Sequence, residues 1–210
     1  VIGIFSASLR PAAEVSRRTQ ELNSAELIAD DLLETVRSKV ETATDYIKCY
    51  DSGTDVTNKT GSSEGSAIEF GYETEQGYNA AELLTADGCG PTKIVIADKD
   101  SGEQPRVEKG YLVERYYKDG YSQDADGNPI ARAMTKTYAE GFYMGLRAGL
   151  HFKIDEAKHT VTATVTIYRD KDLTDKIYSD SLIIDLRYDI PVKTEVTAKQ
   201  KTTTDIETGG

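Results

Sequence analysis

Apolar and small residues recur at helical spacing through the first quarter of the chain. Leu22, Ala29, Val36 and Ala43 stand seven apart, Ala25 and Leu32 each follow a member of that series by three, and Leu33, Val40 and Ile47 run beside it. Together they form one stripe of the kind an amphipathic helix turns toward a core. The other faces carry Glu14, Arg17, Arg18, Glu21, Glu26, Asp30, Glu34, Arg37, Lys39 and Glu41. Glu14 and Arg18 are spaced as a supportive i,i+4 pair, and Glu34 and Arg37 are three apart. Neither Gly nor Pro interrupts residues 12–48, so the pattern predicts one helix over that span, about 55 Å long at ~1.5 Å per residue. Globular helices average about 11–12 residues, so the length itself needs a reason. Pro11 either kinks the start of this helix or occupies its first turn.

Farther along, the period changes to two. Leu146, Ala148, Leu150, Phe152 and Ile154 alternate with Arg147, Gly149, His151 and Lys153. Val161, Ala163, Val165 and Ile167 alternate with Thr160, Thr162, Thr164 and Thr166, and Leu182, Ile184 and Leu186 alternate with Ile183, Asp185 and Arg187. These are three half-buried strands joined by the short polar segments 155–159 and 170–176, which predicts an antiparallel meander with one apolar face. That face needs a cover, and the helical stripe is long and apolar enough to supply it. Between helix and meander, residues 51–66 read as a Gly- and Ser-rich loop. Shorter strands are expected at 67–74, 92–97, 110–118 and 130–138, and a turn or two of helix at 78–84.

The predicted class is α+β, a long N-terminal amphipathic helix packed on a C-terminal antiparallel sheet. Residues 1–50 form the helix with an apolar start, 51–191 the loops and sheet of the same domain, and 192–210 a polar, flexible tail rich in Lys and Thr. The opening Val1-Ile2-Gly3-Ile4-Phe5 is far shorter than the ~20 residues of a membrane span. It reads as the tail of a longer apolar segment.

Charge narrows the partners. The formal net charge is −11 over 210 residues, and no run of Lys and Arg interrupts it, which argues against direct nucleic-acid binding and against attraction to anionic membranes. The only cysteines are Cys49 and Cys89. Their spacing matches no zinc motif, and they are either joined by a disulfide or packed separately as thiols. Asp124, Asp126 and Asn128 place oxygens at alternate positions, like the opening of a calcium loop. The twelfth position is Thr135 rather than Glu, and a hairpin turn accounts for the same residues through turn chemistry.

Catalytic signatures are missing. There is no GxSxG elbow, no HExxH and no Gly-rich phosphate loop. His151 and His159 are expected on a solvated sheet face, and Asp30-Asp31 on a solvated helix face. Tyr111, Tyr116, Tyr117, Tyr121, Tyr138 and Tyr143 enrich the middle of the chain. They offer either strand packing or a contact patch for protein or carbohydrate. No cofactor is expected.

The order of these segments resembles a known family. Val1–Thr44, with its stretch SLRPAAEVSRRTQELNSAELIADDLLETVRS, and Gly145–Tyr188, with its Thr-alternating strand Thr160–Thr166, are similar to type IV pilins and to the pseudopilins of type II secretion. The larger minor members, the J-type pseudopilins and their Gram-positive relatives, look most alike. The resemblance implies a non-catalytic subunit, exported and membrane-anchored before assembly, whose partners are other pilin or pseudopilin subunits. The implied tasks are filament assembly, secretion, DNA uptake or adhesion. It also implies a processing site and a membrane-spanning segment with its glutamate upstream of Val1. The assembly face is expected on Leu22, Ala25, Ala29, Leu32, Leu33, Val36 and Val40. Two other readings fit the same pattern: a surface-anchored binding module or adhesin on a helical stalk, and a virion structural protein.

Overall fold

The computed structural model describes residues 2–44, 46–50, 63–71, 92–97, 108–123, 129–190 and 192. It is α+β. Helix α1 spans Ile2–Val40 with Pro11 inside it, so the proline neither starts the helix nor stops it. The expected run to residue 48 is corrected: α1 ends at Val40, and Ile47–Tyr50 is strand β1. Arg37 and Lys39 sit in the last turn, where positive charge suits the carbonyl end of a helix. Thr42 N and Ala43 N then donate to the carbonyls of Lys39 and Val40, tightening the final turn. Thr44 N donates to Gly71 O at 3.1 Å and Gly71 N to Tyr46 O at 3.0 Å, which starts the backbone pairing just ahead of β1.

The misreading has a physical cause. Tyr46, Ile47, Lys48 and Cys49 are all buried, so β1 has no polar face to reveal a period of two, and Ala43 and Ile47 happen to continue the helical spacing.

Two antiparallel sheets follow. One has the order β1-β3-β4-β5-β6, built from β1, β3 (Ala67–Phe70), β4 (Thr92–Ile96), β5 (Leu112–Gln123) and β6 (Pro129–Thr137). The other has the order β2-β7-β8-β9, with β2 (Glu64–Gly65), β7 (Arg147–Asp155), β8 (Thr160–Tyr168) and β9 (Lys176–Asp185). The chain crosses between them at Ser66, and a short helix α2 (Glu140–Tyr143) leads into β7. The β7–β8–β9 meander is where the alternation placed it. Four strands of the five-stranded sheet lie where short strands were expected, at 67–74, 92–97, 110–118 and 130–138; what the pattern did not give is β1 and the joining of all five into one sheet. Val192, assigned to the tail, makes a parallel bridge with Ile47.

One buried cluster ties the layers together. It draws Ala25, Ile28, Ala29, Leu32, Leu33, Val36 and Val40 from α1, and Ile47, Cys49, Ile68, Phe70, Ile94 and Leu112 from the five-stranded sheet. Ala148, Leu150, Phe152, Val161, Ala163, Val165, Ile167 and Ile184 complete it from the meander. Each fully buried Leu or Ile contributes roughly 1.5–3 kcal/mol by leaving water. Leu32 has no exposed surface. Leu32→Ala is expected to lower unfolding free energy by about 2–5 kcal/mol in chemical denaturation.

Gly110 clamps the two sheets. Its N donates to Ala97 O at 2.9 Å and its carbonyl accepts from Ala148 N at 2.8 Å. Its φ is +86°, and a Cβ there would lie 2.7 Å from Arg147 Cβ. Gly110→Ala is therefore expected to cost about 2–4 kcal/mol, combining left-handed strain with overpacking. A melting temperature unchanged within a degree would contradict this.

Candidate functional site: the exposed helix and its seam with the meander

Helix α1 is used in two ways along its length. Every residue from Pro11 to Gln20 is exposed, whereas the inner face from Ala25 to Val40 is buried. The direction that faces the sheet continues into the exposed half as Glu14 and Arg18, which pair with each other at 2.7 Å instead of meeting a core. No helix among the described residues is long and apolar enough to cross a membrane.

The expected assembly face is corrected by this arrangement. Ala25, Ala29, Leu32, Leu33, Val36 and Val40 are buried within the same molecule. They are core, and they cannot also meet a neighbour. Ile28, absent from the predicted set, is buried with them. Leu22 is 46% exposed and belongs to a groove rather than to the core. Val15 and Leu27 are more exposed still.

That groove, about 540 Å3 in volume, lies where α1 meets the β8–β9 hairpin and is lined by Arg17, Arg18, Glu21, Leu22, Arg169 and Ile177. Arg169 donates from Nε to Glu21 Oε1 at 2.8 Å and from Nη2 to Glu21 Oε2 at 3.1 Å, a bidentate tie between helix and hairpin. It also pairs with Asp175. The Arg169 hydrogen bond holds the Glu21 carboxyl below its usual value, and the charges of Arg17 and Arg18 add to the effect. Between Ile167 and Tyr168 of β8 the register with β9 shifts, so Tyr168 pairs with Lys176 while Ile167 pairs with Tyr178. Ile177 is thus the bulged residue and contributes an apolar wall.

The hairpin loop is held by Asp170, whose carboxylate accepts from Thr174 N, Thr174 Oγ1 and Asp175 N at 2.6–3.0 Å.

Two buried ion pairs were not foreseen. Lys48 Nζ lies 3.1 Å from Glu69 Oε1 across β1 and β3, and Tyr46 Oη donates to the same oxygen at 2.6 Å. Arg147 Nη2 donates to Glu108 Oε2 at 2.8 Å, and its guanidinium stands over the Tyr111 ring. Tyr111 in turn stacks on Tyr143 at 4.0 Å. Tyr143 Oη accepts from Leu112 N at 2.7 Å, and burial pushes its hydroxyl pKa up. Arg147 does occupy the polar side of β7, but at the end covered by the Gly110 turn. Removing one partner of such a pair leaves a buried charge; Glu108–Arg147 ties the segment before β5 to β7 of the other sheet, whereas Lys48–Glu69 joins neighbouring strands of one sheet.

The remaining candidates separate clearly. Tyr111 and Tyr143 are packing residues, and Tyr138 stacks on Phe142 while its hydroxyl meets Thr35 Oγ1 at 2.5 Å. The side chains of Tyr116, Tyr117 and Tyr121 lie outside the described set. His151 is on the solvated face, 3.3 Å from Glu64, as expected. His159 is instead in the β7–β8 turn, with φ +54°, facing Asp189 at 3.4 Å. Neither has a nucleophile beside it among the hydrogen bonds of the described residues. Cys49 is a buried free thiol whose pKa is pushed up to about 12 by desolvation, with Glu64 adding to it. Cys89 lies outside the described residues, as do Asp124, Asp126 and Asn128. Among the described residues no group of three or more His, Cys, Asp or Glu is placed to hold a metal.

Hydrogen bonds from Thr174 and Asp175 lower the Asp170 carboxyl from 3.8 to about 2. A depressed carboxylate stabilises the folded state above its unfolded value and loses that contribution as pH falls through the folded one. The loop is therefore expected to keep its full hold down to about pH 4 and to loosen as pH falls toward about 2. NMR titration of the Asp170 carboxyl should give a midpoint near 2, with Thr174→Val moving it back toward 3.8. No known protein family, no curated protein and no solved structure matches the chain.

Proposed function

We propose that the chain is a structural subunit, a minor pilin or pseudopilin, of a type IV pilus or a type II secretion-like filament. One observation supports this reading above the rest. A single helix of 39 residues is committed to the molecule's own core over its second half and exposed over residues 11–20. A monomer gains nothing from an exposed helical extension of this length, since isolated helix is marginal in water and most helical stability comes from packing. An assembly in which neighbouring extensions bundle together removes that surface from water. The extension is then the contact element, and the sheets face outward. The proposed subunit has no catalytic role, is exported, and is held in the membrane before assembly by an apolar helix continuing upstream of Val1. The sum of charges argues against direct nucleic-acid contact even where the filament serves DNA uptake.

A surface-anchored binding module is the second reading. It is favoured by the outer face of the meander, where Thr162, Thr164, Thr166, Ser179 and Ser181 form a row without charge. Cross-strand hydroxyl contacts of 2.8 Å for Thr164–Ser181 and 3.0 Å for Thr166–Ser179 account for that row structurally.

The two are separated by the gene upstream of Val1 and by where the product sits. A filament subunit is expected to carry a basic leader, a peptidase site and a glutamate-bearing apolar helix. Antibodies to the sheet domain are expected to label filaments sheared from the cell surface. A lipoprotein cysteine upstream, with label spread over the envelope and absent from sheared filaments, would favour the binding module.

A further inference from the structure

A lysine and a glutamate meet deep in the five-stranded sheet. Lys48 is 2% exposed and Glu69 has no exposed surface. They are direct register partners in the antiparallel pair β1–β3. Side chains opposed in this way leave the sheet on one face and in contact, so the backbone itself aims the amine at the carboxyl. Lys48 Nζ lies 3.1 Å from Glu69 Oε1. Tyr46, two residues before Lys48, is also buried and donates from Oη to the same carboxylate oxygen at 2.6 Å. Their neighbours Ile47, Cys49, Ile68 and Phe70 belong to the main core on the opposite face.

This setting differs from that of the other ion pairs among the described residues. The side chains of Lys39, Lys136, Lys153, Lys158 and Lys171 are all at least 38% exposed. The cation opposite Glu108 is Arg147, a guanidinium that stays protonated and is no nucleophile. Lys48 alone in this group is a primary amine held dry against a carboxyl. Two charges taken out of water recover only part of their hydration through mutual attraction. An amide in the same place carries no charge and still joins the strands.

We infer that Lys48 and Glu69 condense to an intramolecular isopeptide bond between Nζ and Cδ, assisted by Tyr46. The ion pair is the reactant. One proton passes from the Lys48 ammonium to Glu69 Oε1, which leaves a neutral amine and a carboxylic acid. The freed electron pair on Nζ attacks Cδ, and the carbonyl π electrons move onto Oε2. A second nitrogen proton then goes to Oε1, the Cδ–Oε1 bond breaks, one water leaves, and the carbonyl re-forms at Oε2. Nothing is oxidised or reduced, and no co-reactant is consumed. The opposed strands supply proximity. The Tyr46 hydrogen bond draws electron density from the carboxyl and eases the departure of Oε1. Exclusion of water then protects the amide from hydrolysis. The bond closes the chain from 48 to 69 into a ring, so a cut between these positions leaves both ends joined.

The test weighs the full chain, shown to be folded by circular dichroism and then denatured and reduced. Its mass should be lower than that of its sequence by one water. Trypsin cannot cut after an acylated Lys48 but still cuts after Lys39, Lys59 and Lys93. The digest should therefore contain residues 40–59 joined to residues 60–93, and should lack free 40–48 and 49–59. Lys48→Arg keeps a cation opposite Glu69 without a nucleophilic amine and should restore the full sequence mass. Followed in freshly synthesised chain, Tyr46→Phe should form the link about tenfold or more slowly than the parent. A folded parent chain at its full sequence mass, with 40–48 and 60–93 recovered separately, would overturn the inference. So would a lost water confined to other residues, or a link from Glu69 to Lys93, its register partner on β4. Equal rates for Tyr46→Phe and the parent would overturn the part given to Tyr46.

Discussion

Burial of one helical face against the inner side of the β7–β8–β9 meander is the constraint on which the molecule depends. Val161, Ala163, Val165 and Ile167 have no exposed surface, and the residues above them are Ala25, Ile28, Ala29, Leu32 and Val36. A half-polar sheet cannot hold such a face against water alone. The small residues Ala25 and Ala29 alternate with Leu32, Leu33 and Val36, which lets a helix approach the pleated surface without voids. Once this layer is in place, the five-stranded sheet can share its core through Phe70, Ile94 and Leu112, and the Gly110 turn can lock both sheets.

Polar groups then decide how the layers meet. Hydrophobic burial sets no orientation by itself, whereas a buried charge tolerates few arrangements. Glu108–Arg147 sits where the two sheets converge, with Arg147 further pinned by the Tyr111–Tyr143 stack, while Lys48–Glu69 holds β1 to β3 within one sheet. At the rim the same logic operates in water and more weakly. Arg169 ties the hairpin to Glu21, and the Asp170 loop keeps Arg169 in position to do so.

How much of this was legible depends on exposure. Strands β7, β8 and β9 were readable because each has one wet face, so Thr162, Thr164 and Thr166 mark the period between Val161, Ala163, Val165 and Ile167. Strands buried on both sides have no such mark. Tyr46–Cys49 therefore passed for helix, whereas β3, equally without alternation, was still read as a short strand at 67–74. The helical stripe was visible, and the apolar face of the meander called for it as a cover; residues so covered are not left over for a neighbour. Arg147 broke no local rule and became buried only through Gly110, distant in sequence.

The helix attached along one flank has a mechanical corollary. Tension applied to its free end and directed down its axis meets the contacts from Ala25 to Val40 as a lap joint meets shear. All of them resist together, because sliding by less than one side chain disturbs every one. A sideways pull would open the same joint progressively, beginning at Leu22 and the Arg169–Glu21 tie. Resistance to load is thus directional, greatest along the rod and least across it, without any covalent reinforcement of the join.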